Sequence, residues 1–399
     1  MRISTANSFD AGIANLQRRQ VELTEGQLQL TSGKRVSRAS DDPTAAARAE
    51  RARALEQRST ASQRAVEASR NAMQLAEGAL GDATELLQQA RETLVSAGNA
   101  SYSDAERRTL AQSLQAIRNQ LFAVANRPDG AGGYLFAGQG SSSPPFIDAA
   151  GGVQFAGTAG QSEAASGESL PTTLDGQAGW LQARSGNGVF VTSPGSPQAG
   201  AAWIDPGRVT DPSALTGDDY SLTFSVVGGV TTYSISGTAG GAIQSGTPYV
   251  SGQAISFEGL SFSIRGAPAD GDAFTVEPST SDLSVFTVLD EAVAALETPL
   301  QNNGRVTQSV AVGIRDIDAS LGRLIEQRAQ AGETLKLIDG VEGRLSALKL
   351  GAQTEQSAAE DLDMVEAFSR FQAQQTGYDA ALKSYSMVQR MSLFQYLGG

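Results

Sequence analysis

The C-terminal stretch of the sequence, Met364 to Tyr396, carries an unbroken heptad pattern. Its seam positions are Met364, Phe368, Phe371, Gln375, Tyr378, Leu382, Tyr385, Gln389, Ser392 and Tyr396. Such a seam predicts a long helix packed against a partner helix. Near the end, Leu393, Phe394 and Leu397 extend the apolar surface beyond what one helix can cover at a terminus. The partner is a helix of this chain, of other copies, or of both; the alternative is an ordinary C-terminal core helix.

The N-terminal stretch has a matching but weaker pattern. A helix is predicted from about Ser8 to Thr31. Its seam contains Ile13, Leu16, Leu23 and Leu30, together with Gln20 and Gln27. Polar glutamines in the seam make this helix weak by itself and suited to a larger bundle.

Between this helix and the next lies the segment TSGKRVSRASDDP, residues 31–43. Gly33 can end the first helix in a left-handed cap. Pro43 suits the first position of a new helix, with Asp42 as its N-cap and Asp41 near the positive end of the helix dipole. We expect a junction made of Gly33, Lys34, Arg35, Asp41, Asp42 and Pro43. Metal binding by the acidic pair is disfavoured because no further ligands lie nearby in the sequence.

Two long helices are predicted to pair with each other. The first runs from Thr44 to about Gly98, and the second resumes the heptad from Val310 to Ala352. From Val66 onwards the first seam alternates large and small residues: Val66, Ser69, Met73, Ala76, Leu80, Ala83, Leu87, Ala90, Leu94 and Ala97. Such alternation lets a partner helix approach closely, so an antiparallel pairing would bury both seams.

Local signals predict the starts of three further helices. Ser103 and Glu106 match a capping box. Ser281–Asp282 is a candidate N-cap for a helix that breaks near Pro299. Ser357 and Glu360 match a second capping box, which would open the C-terminal helix.

The middle of the chain has a different composition. From Gly130 to about Thr280 it is rich in Gly, Ser, Thr and Pro, with short alternating runs. Residues 220–227 and 230–235 alternate on either side of Gly228–Gly229, the pattern of a two-residue hairpin. This stretch is predicted to be a β-rich domain inserted between helices.

The order of elements is therefore palindromic, and the fold class is α+β. We expect a long antiparallel coiled-coil or bundle rod built from both chain ends, with the β-rich domain inserted. The predicted parts are 1–43 (N-terminal assembly helix and junction), 44–128 (rod helices), 129–281 (β-rich domain), 282–356 (rod helices) and 357–399 (C-terminal assembly helix). The predicted assembly interface consists of Ile13, Leu16, Leu23, Leu30, Met364, Phe368, Phe371, Tyr378, Leu382, Tyr385, Leu393, Phe394, Tyr396 and Leu397.

Composition narrows the function classes. The 399 residues include no Cys and no His, which removes disulfides, thiolate chemistry and the commonest general base and metal ligand. The net charge of −13 argues against a nucleic-acid partner. No segment reads as a membrane span, and the start MRISTANSFD has no apolar stretch typical of a cleavable secretory signal. We predict no cofactor, no metal and no catalytic residues.

The sequence supports other kinds of binding or catalytic site less well. The Gly clusters lack the Lys of a phosphate loop and are better read as turns. Weak calcium binding by Asp218, Asp219, Asp270 and Asp272 is possible, but solvated turns fit the pattern better. Trp180, Trp203 and Tyr249 are candidate stacking residues of an adhesin or sugar-binding module, although core packing is the simpler role. A hydrolase with paired carboxylates is the weakest alternative.

Several segments carry a family resemblance. They are MRIST at the start, SGKRV at 32–36, SDDP at 40–43, EDLD at 360–363, YDAAL at 378–382 and SLFQYL at 392–397. Together they resemble the flagellin superfamily. Within it, GYLFAG at 133–138, FEGLSF at 257–262 and GDAFTV at 271–276 are similar to the FlgL family of hook–filament junction proteins. A flagellin filament subunit is the nearest alternative.

The resemblance implies a structural role with several partners. It implies a ring of identical subunits between a FlgK-like hook-associated protein and flagellin. It also implies export through the flagellar type III apparatus without a cleavable signal, and a FlgN-like chaperone that shields the C-terminal helix. The expected location is the extracellular flagellum.

Overall fold

The computed structural model describes residues 5–164, 168–196 and 198–397, with side chains described between residues 10 and 387 of those ranges. Its helices are α1 (Thr5–Ser32), α2 (Pro43–Ala97), α3 (Asp104–Ala125), α4 (Gly176–Trp180), α5 (Val285–Glu297), α6 (Asn303–Glu360) and α7 (Met364–Leu397). Its strands are β1 (Phe146–Ala149), β2 (Gly152–Phe155), β3 (Phe190–Pro194), β4 (Trp203–Ile204), β5 (Arg208–Val209), β6 (Tyr220–Val227), β7 (Val230–Gly237), β8 (Gly241–Pro248), β9 (Ala254–Phe257), β10 (Leu260–Arg265) and β11 (Ala273–Pro278). The predicted fold class, long terminal helices around an inserted antiparallel β-rich region, is confirmed.

The chain divides into two compact units. One contains Met1–Arg64 with Val341–Gly399, and the other contains Ala65–Gly340. Because α2 and α6 each run past a boundary, both helices contribute residues to both units.

The larger unit is built on the predicted seam of α2. Every member of the large–small alternation from Val66 to Ala97 is buried, and Met73, Leu80 and Leu87 are completely inaccessible to solvent. On α6, Ile317, Leu324, Ala331 and Ile338 are equally buried at heptad spacing. Large residues that face small ones across a helix pair fill the space without voids.

Ion pairs on the surface show that α2 and α6 are antiparallel in this unit. Arg70 pairs with Asp339 at 2.8 Å, and Arg91 pairs with Asp318 at 2.7 Å. As the residue number rises along α2, the partner's number falls along α6. The predicted antiparallel pairing is therefore confirmed.

An aromatic cluster joins the helices to the first part of the β-rich region. Trp180 of α4 stacks on Phe286 of α5 with ring centroids 6.0 Å apart. Phe136 and Phe146 contact the Trp180 ring edge to face. All four rings are almost completely buried. Such aromatic packing contributes beyond the burial of area.

The sheets of the β-rich region are antiparallel. The largest has the strand order β3-β11-β6-β7-β8, a second joins β4, β5 and β9 to β10, and β1 pairs with β2. The predicted hairpin is confirmed, because β6 and β7 pair in register from Val227 opposite Val230, and both Gly228 and Gly229 have positive φ. A two-residue hairpin turn of this type requires that conformation at both positions.

The acidic loop residues act as anchors of turns. Asp218 accepts a hydrogen bond from the backbone N–H of Ala239 at 2.9 Å. Asp272 is buried and accepts from the N–H of Ala199 at 2.6 Å and of Ala269 at 2.7 Å. These bonds satisfy backbone donors within the loops, the ordinary role of Asp in turns.

Helix starts are predicted correctly in some places and wrongly in others. The capping box of Ser103 and Glu106 is present at the start of α3. The predicted N-cap at Ser281–Asp282 is wrong: α5 begins after Ser284, whose hydroxyl accepts from the N–H of Thr287 at 3.4 Å. Residues 281–284 instead complete the loop that pairs Leu283 with Ala183, so the helix starts later.

Candidate assembly interface

The smaller unit brings the two chain ends together as a pair of helices. Glycines mark the close contacts between α1 and α7: a Cβ on Gly12 would lie 3.3 Å from the ring of Tyr385, and one on Gly26 would lie 3.4 Å from the ring of Phe371. The lower-numbered residue of α1 meets the higher-numbered residue of α7, so the helices are antiparallel. A glycine at such a contact allows the neighbouring helix to approach closely.

The predicted interface residues are only partly covered by this pairing. Within the pair, Leu16, Leu23, Leu30, Phe371, Tyr378 and Tyr385 are half-buried. Ile13, Met364, Phe368 and Leu382 remain exposed. Leu393, Phe394, Tyr396 and Leu397 lie in α7 outside the residues with described side chains. The pair therefore leaves a large part of its predicted apolar surface in contact with solvent.

Sequence reasoning missed further apolar residues on the same two helices. Val21 and Leu28 of α1 and Val365 and Met387 of α7 are also exposed, and Val365 is 83% exposed. They lie off the heptad seam, so a search for one seam passes over them. A search for a second apolar face on each helix would have found them.

The junction between α1 and α2 is held by backbone hydrogen bonds to the other end of the chain. Gly33 has φ +70 and ends α1, with its N–H donating to Gln29 O at 2.8 Å. The N–H of Arg35 donates to Glu360 O at 2.7 Å, and the N–H of Leu362 donates to Gly33 O at 3.0 Å. The junction after α1 and the connection from α6 to α7 are thus joined as a short antiparallel bridge.

Ion pairs between side chains stabilise this bridge further. Glu360, whose side chain is 7% exposed, accepts from Lys34 Nζ at 2.8 Å and from Arg53 Nη2 at 2.5 Å. Burial alone would raise the pKa of Glu360, but the hydrogen bond from Lys34 and the nearby Arg53 charge lower that pKa overall. Arg35 donates to Ala359 O at 2.9 Å, which satisfies a carbonyl in the last turn of α6.

Asp42 caps the start of α2, as predicted. Asp42 Oδ1 accepts from the N–H of Ala45 at 3.0 Å, with Pro43 at the first helical position. This bond, together with those from Thr44 and Arg35, lowers the pKa of Asp42 to about 2. Asp41 instead accepts from the N–H of Arg38 at 2.8 Å and folds the preceding turn.

The second predicted capping box is wrong. Ser357 and Glu360 lie in the last turn of α6, where the Ser357 hydroxyl bonds Asp361 and Glu360 pairs with Lys34 and Arg53. The cap of α7 is Asp363, whose Oδ1 accepts from the N–H of Val365 at 3.0 Å. The residue types of a capping box are present, but the Glu360 carboxylate bonds to Lys34 and Arg53, which are distant in sequence, and does not cap a helix.

The alternative binding residues are used in packing. Trp180 is buried in the aromatic cluster. The ring of Trp203 is covered by the Arg265 guanidinium at 5.6 Å, and Tyr249 Oη lies 3.0 Å from Ile264 O. Within the described residues, no group of three or more acidic side chains is arranged to hold a metal ion. No helix in this part of the chain combines the length and apolarity needed to cross a membrane.

Comparisons with known proteins agree with this architecture. Residues 3–141 match the family model of the bacterial flagellin N-terminal helical region. Flagellar hook-associated protein 3 of Salmonella typhimurium is 27% identical over 306 residues, which make up 76% of this chain and 70% of that protein. A crystal structure of Xanthomonas campestris FlgL matches with a TM-score of 0.70 and 28% identity, covering 77% of this chain and 99% of the other. These matches make the chain similar to FlgL-type hook-associated proteins of the flagellin superfamily.

A further FlgL-type structure supports the same assignment. Flagellar hook-associated protein-3 of Legionella pneumophila matches with a TM-score of 0.71 and 28% identity, covering 76% of this chain and 97% of the other. Together, the matches to FlgL-type proteins and to the flagellin N-terminal region support a flagellar hook-associated protein.

Proposed function

We propose that the chain forms the junction between the hook and the filament by packing its terminal helices against those of other copies. The observation that carries this proposal is the unpartnered apolar surface of the α1–α7 pair, including Val21, Leu28, Val365 and Phe368. Burying an apolar side chain of this size fully contributes about 1.5–3 kcal/mol, so covering several half-exposed ones in an assembly yields substantial association energy. An exposed apolar surface of this kind on a soluble chain marks an interaction site.

The proposal assigns residues 1–43 and 357–399 to the assembly module. A FlgK-like hook-associated protein lies on one side of the ring and flagellin lies on the other. This placement is supported by the resemblance to the FlgL family and by a related Legionella pneumophila protein described as a flagellar junction protein, with a TM-score of 0.66 and 29% identity.

The same surface explains why export would need assistance. An exposed apolar helix pair is an aggregation hazard before assembly. We infer that the chain travels through the flagellar type III apparatus without cleavage, and that a FlgN-like chaperone covers α7 beforehand. The role is mechanical, and no catalytic step is assigned to it.

The test is to replace Leu382 with Asp in cells that depend on this protein for filament growth. Leu382 is exposed on α7, so Leu382→Asp should leave the fold intact and block incorporation because a charge in the packed layer is unpaired. The matched control is Leu350→Asp on α6, where the side chain is 65% exposed. Normal filaments with Leu382→Asp would contradict the assignment of this helix to the assembly.

A further inference from the structure

A groove with an apolar floor and a basic rim lies in the smaller unit between α2 and α6. It measures about 790 Å³. Ala52 and Ala352 are buried at its floor, Leu55 is half-buried, and Leu348 is 49% exposed at its edge. The small alanines leave room for a helix to approach closely.

Three arginines surround this floor. Arg48, Arg51 and Arg344 line the groove with a single carboxylate, Glu355, among the lining residues. Arg48 pairs with that carboxylate at 2.5 Å. The excess of positive charge around an apolar floor fits an occupant that is apolar and acidic at once.

The first turns of α7 have this chemistry. Met364, Val365 and Phe368 are all more than half exposed, Asp361 and Asp363 directly precede them, and Glu366 lies between Val365 and Phe368. Arg370 is the one basic residue within the following turn, and it pairs with Glu366 at 2.5 Å. This segment therefore presents apolar side chains within a net negative charge.

We propose that the groove of one copy receives the first turns of α7 of a second copy. The two surfaces differ, so the contact is heterologous: each copy offers its groove to one neighbour and its α7 turn to another. Such head-to-tail contacts generate closed rings or helical layers. This inference rests on the proposed function, since it names the surfaces through which copies would pack.

The absence of cysteine from the chain allows a direct test by cross-linking. One preparation carries Val365→Cys and another carries Leu348→Cys; the two are mixed, assembled on isolated hooks and oxidised. We expect a disulfide-linked dimer in the mixture and much less in either preparation alone, because a disulfide requires Cα atoms within about 7 Å. The control replaces Leu348→Cys with Leu350→Cys, which is exposed on a different side of α6.

The outcomes separate this inference from the proposed function. If the unsubstituted chain forms no layer on hooks by electron microscopy, the proposed function fails and this inference fails with it. If the layer forms but the mixture gives no more cross-link than the Leu350→Cys control, the function stands and the groove assignment is wrong.

A charge reversal supplies a second measurement that needs no cysteine. Arg51→Glu should reduce the assembled fraction at least tenfold, and adding Glu366→Lys to the same chain should restore much of it, since every copy carries both surfaces. An unchanged assembled fraction for Arg51→Glu, or no recovery in the double variant, would overturn the proposal.

Discussion

The carboxylate of Glu360 should control how tightly the two chain ends are joined. Replacing it by Gln keeps the shape of the side chain but removes its charge. Lys34 and Arg53 then lose the anion that they share. We expect the short bridge between the junction and the α6–α7 connection to open more often, while the core of the larger unit stays unaffected.

The size of the effect follows from the exposure of the three groups. Glu360 is 7% exposed, but Lys34 and Arg53 are 41% and 38% exposed, so solvent screens much of the attraction. Exposed ion pairs contribute about 0.2–1 kcal/mol, and each of these pairs lies near the upper end because one partner is buried. The loss is therefore about 1–2 kcal/mol, which corresponds to roughly a 5- to 30-fold increase in local opening.

Amide hydrogen exchange reports this opening at two sites. The N–H of Arg35 and the N–H of Leu362 both bond across the bridge, at 2.7 and 3.0 Å. Both should exchange roughly 5- to 30-fold faster in Glu360→Gln. The control is Glu355→Gln: its pair with Arg48 is about half exposed on both sides, so its effect should be a few tenths of a kcal/mol at most. Equal exchange rates in the two variants would refute the reasoning.

Three further predictions concern stability. Leu87→Ala should lower the free energy of unfolding by about 2–5 kcal/mol because Leu87 is completely buried, whereas Leu75→Ala at a 40% exposed site should cost far less; chemical denaturation measures both. The pKa of Asp42 is lowered from 3.8 to about 2, so the stability that its ionised carboxylate provides is complete above pH 4 and is lost as the pH falls towards 2. Asp42→Asn should remove this pH dependence, which an acid-unfolding curve followed by circular dichroism would show as a flatter slope between pH 4 and pH 2. Gly33→Ala should destabilise the junction by about 1 kcal/mol, since its positive φ disfavours a side chain although no atom obstructs one, while Gly78→Ala within α2 should stabilise the chain slightly; thermal unfolding of the two variants measures both changes.

The long helices were predictable because their burial follows a simple period. From Val66 onwards, every seam residue identified by spacing in α2 is buried. The hairpin at Gly228–Gly229 was equally readable, because the glycines and the alternating runs on either side specify both the turn and the register. In both cases the signal is local and one physical preference dominates.

The candidate site was less predictable because its decisive contacts are distant in sequence. Ser357 and Glu360 have the spacing of a capping box, but the carboxylate is taken by Lys34 and Arg53 from the other end of the chain. Spacing alone does not reveal such partners. The exposed face that includes Val365 was missed because a heptad search selects one seam on each helix and passes over a second apolar face.

Seeded assembly tests the central claim most directly. Isolated hooks that already carry a FlgK-like protein are mixed with this purified chain, then with flagellin, and the products are viewed by electron microscopy. The account predicts a short layer that stops growing alone and then accepts flagellin. Long filaments without added flagellin would identify a filament subunit instead, and no binding to the hooks would contradict the assignment of the terminal helices to assembly.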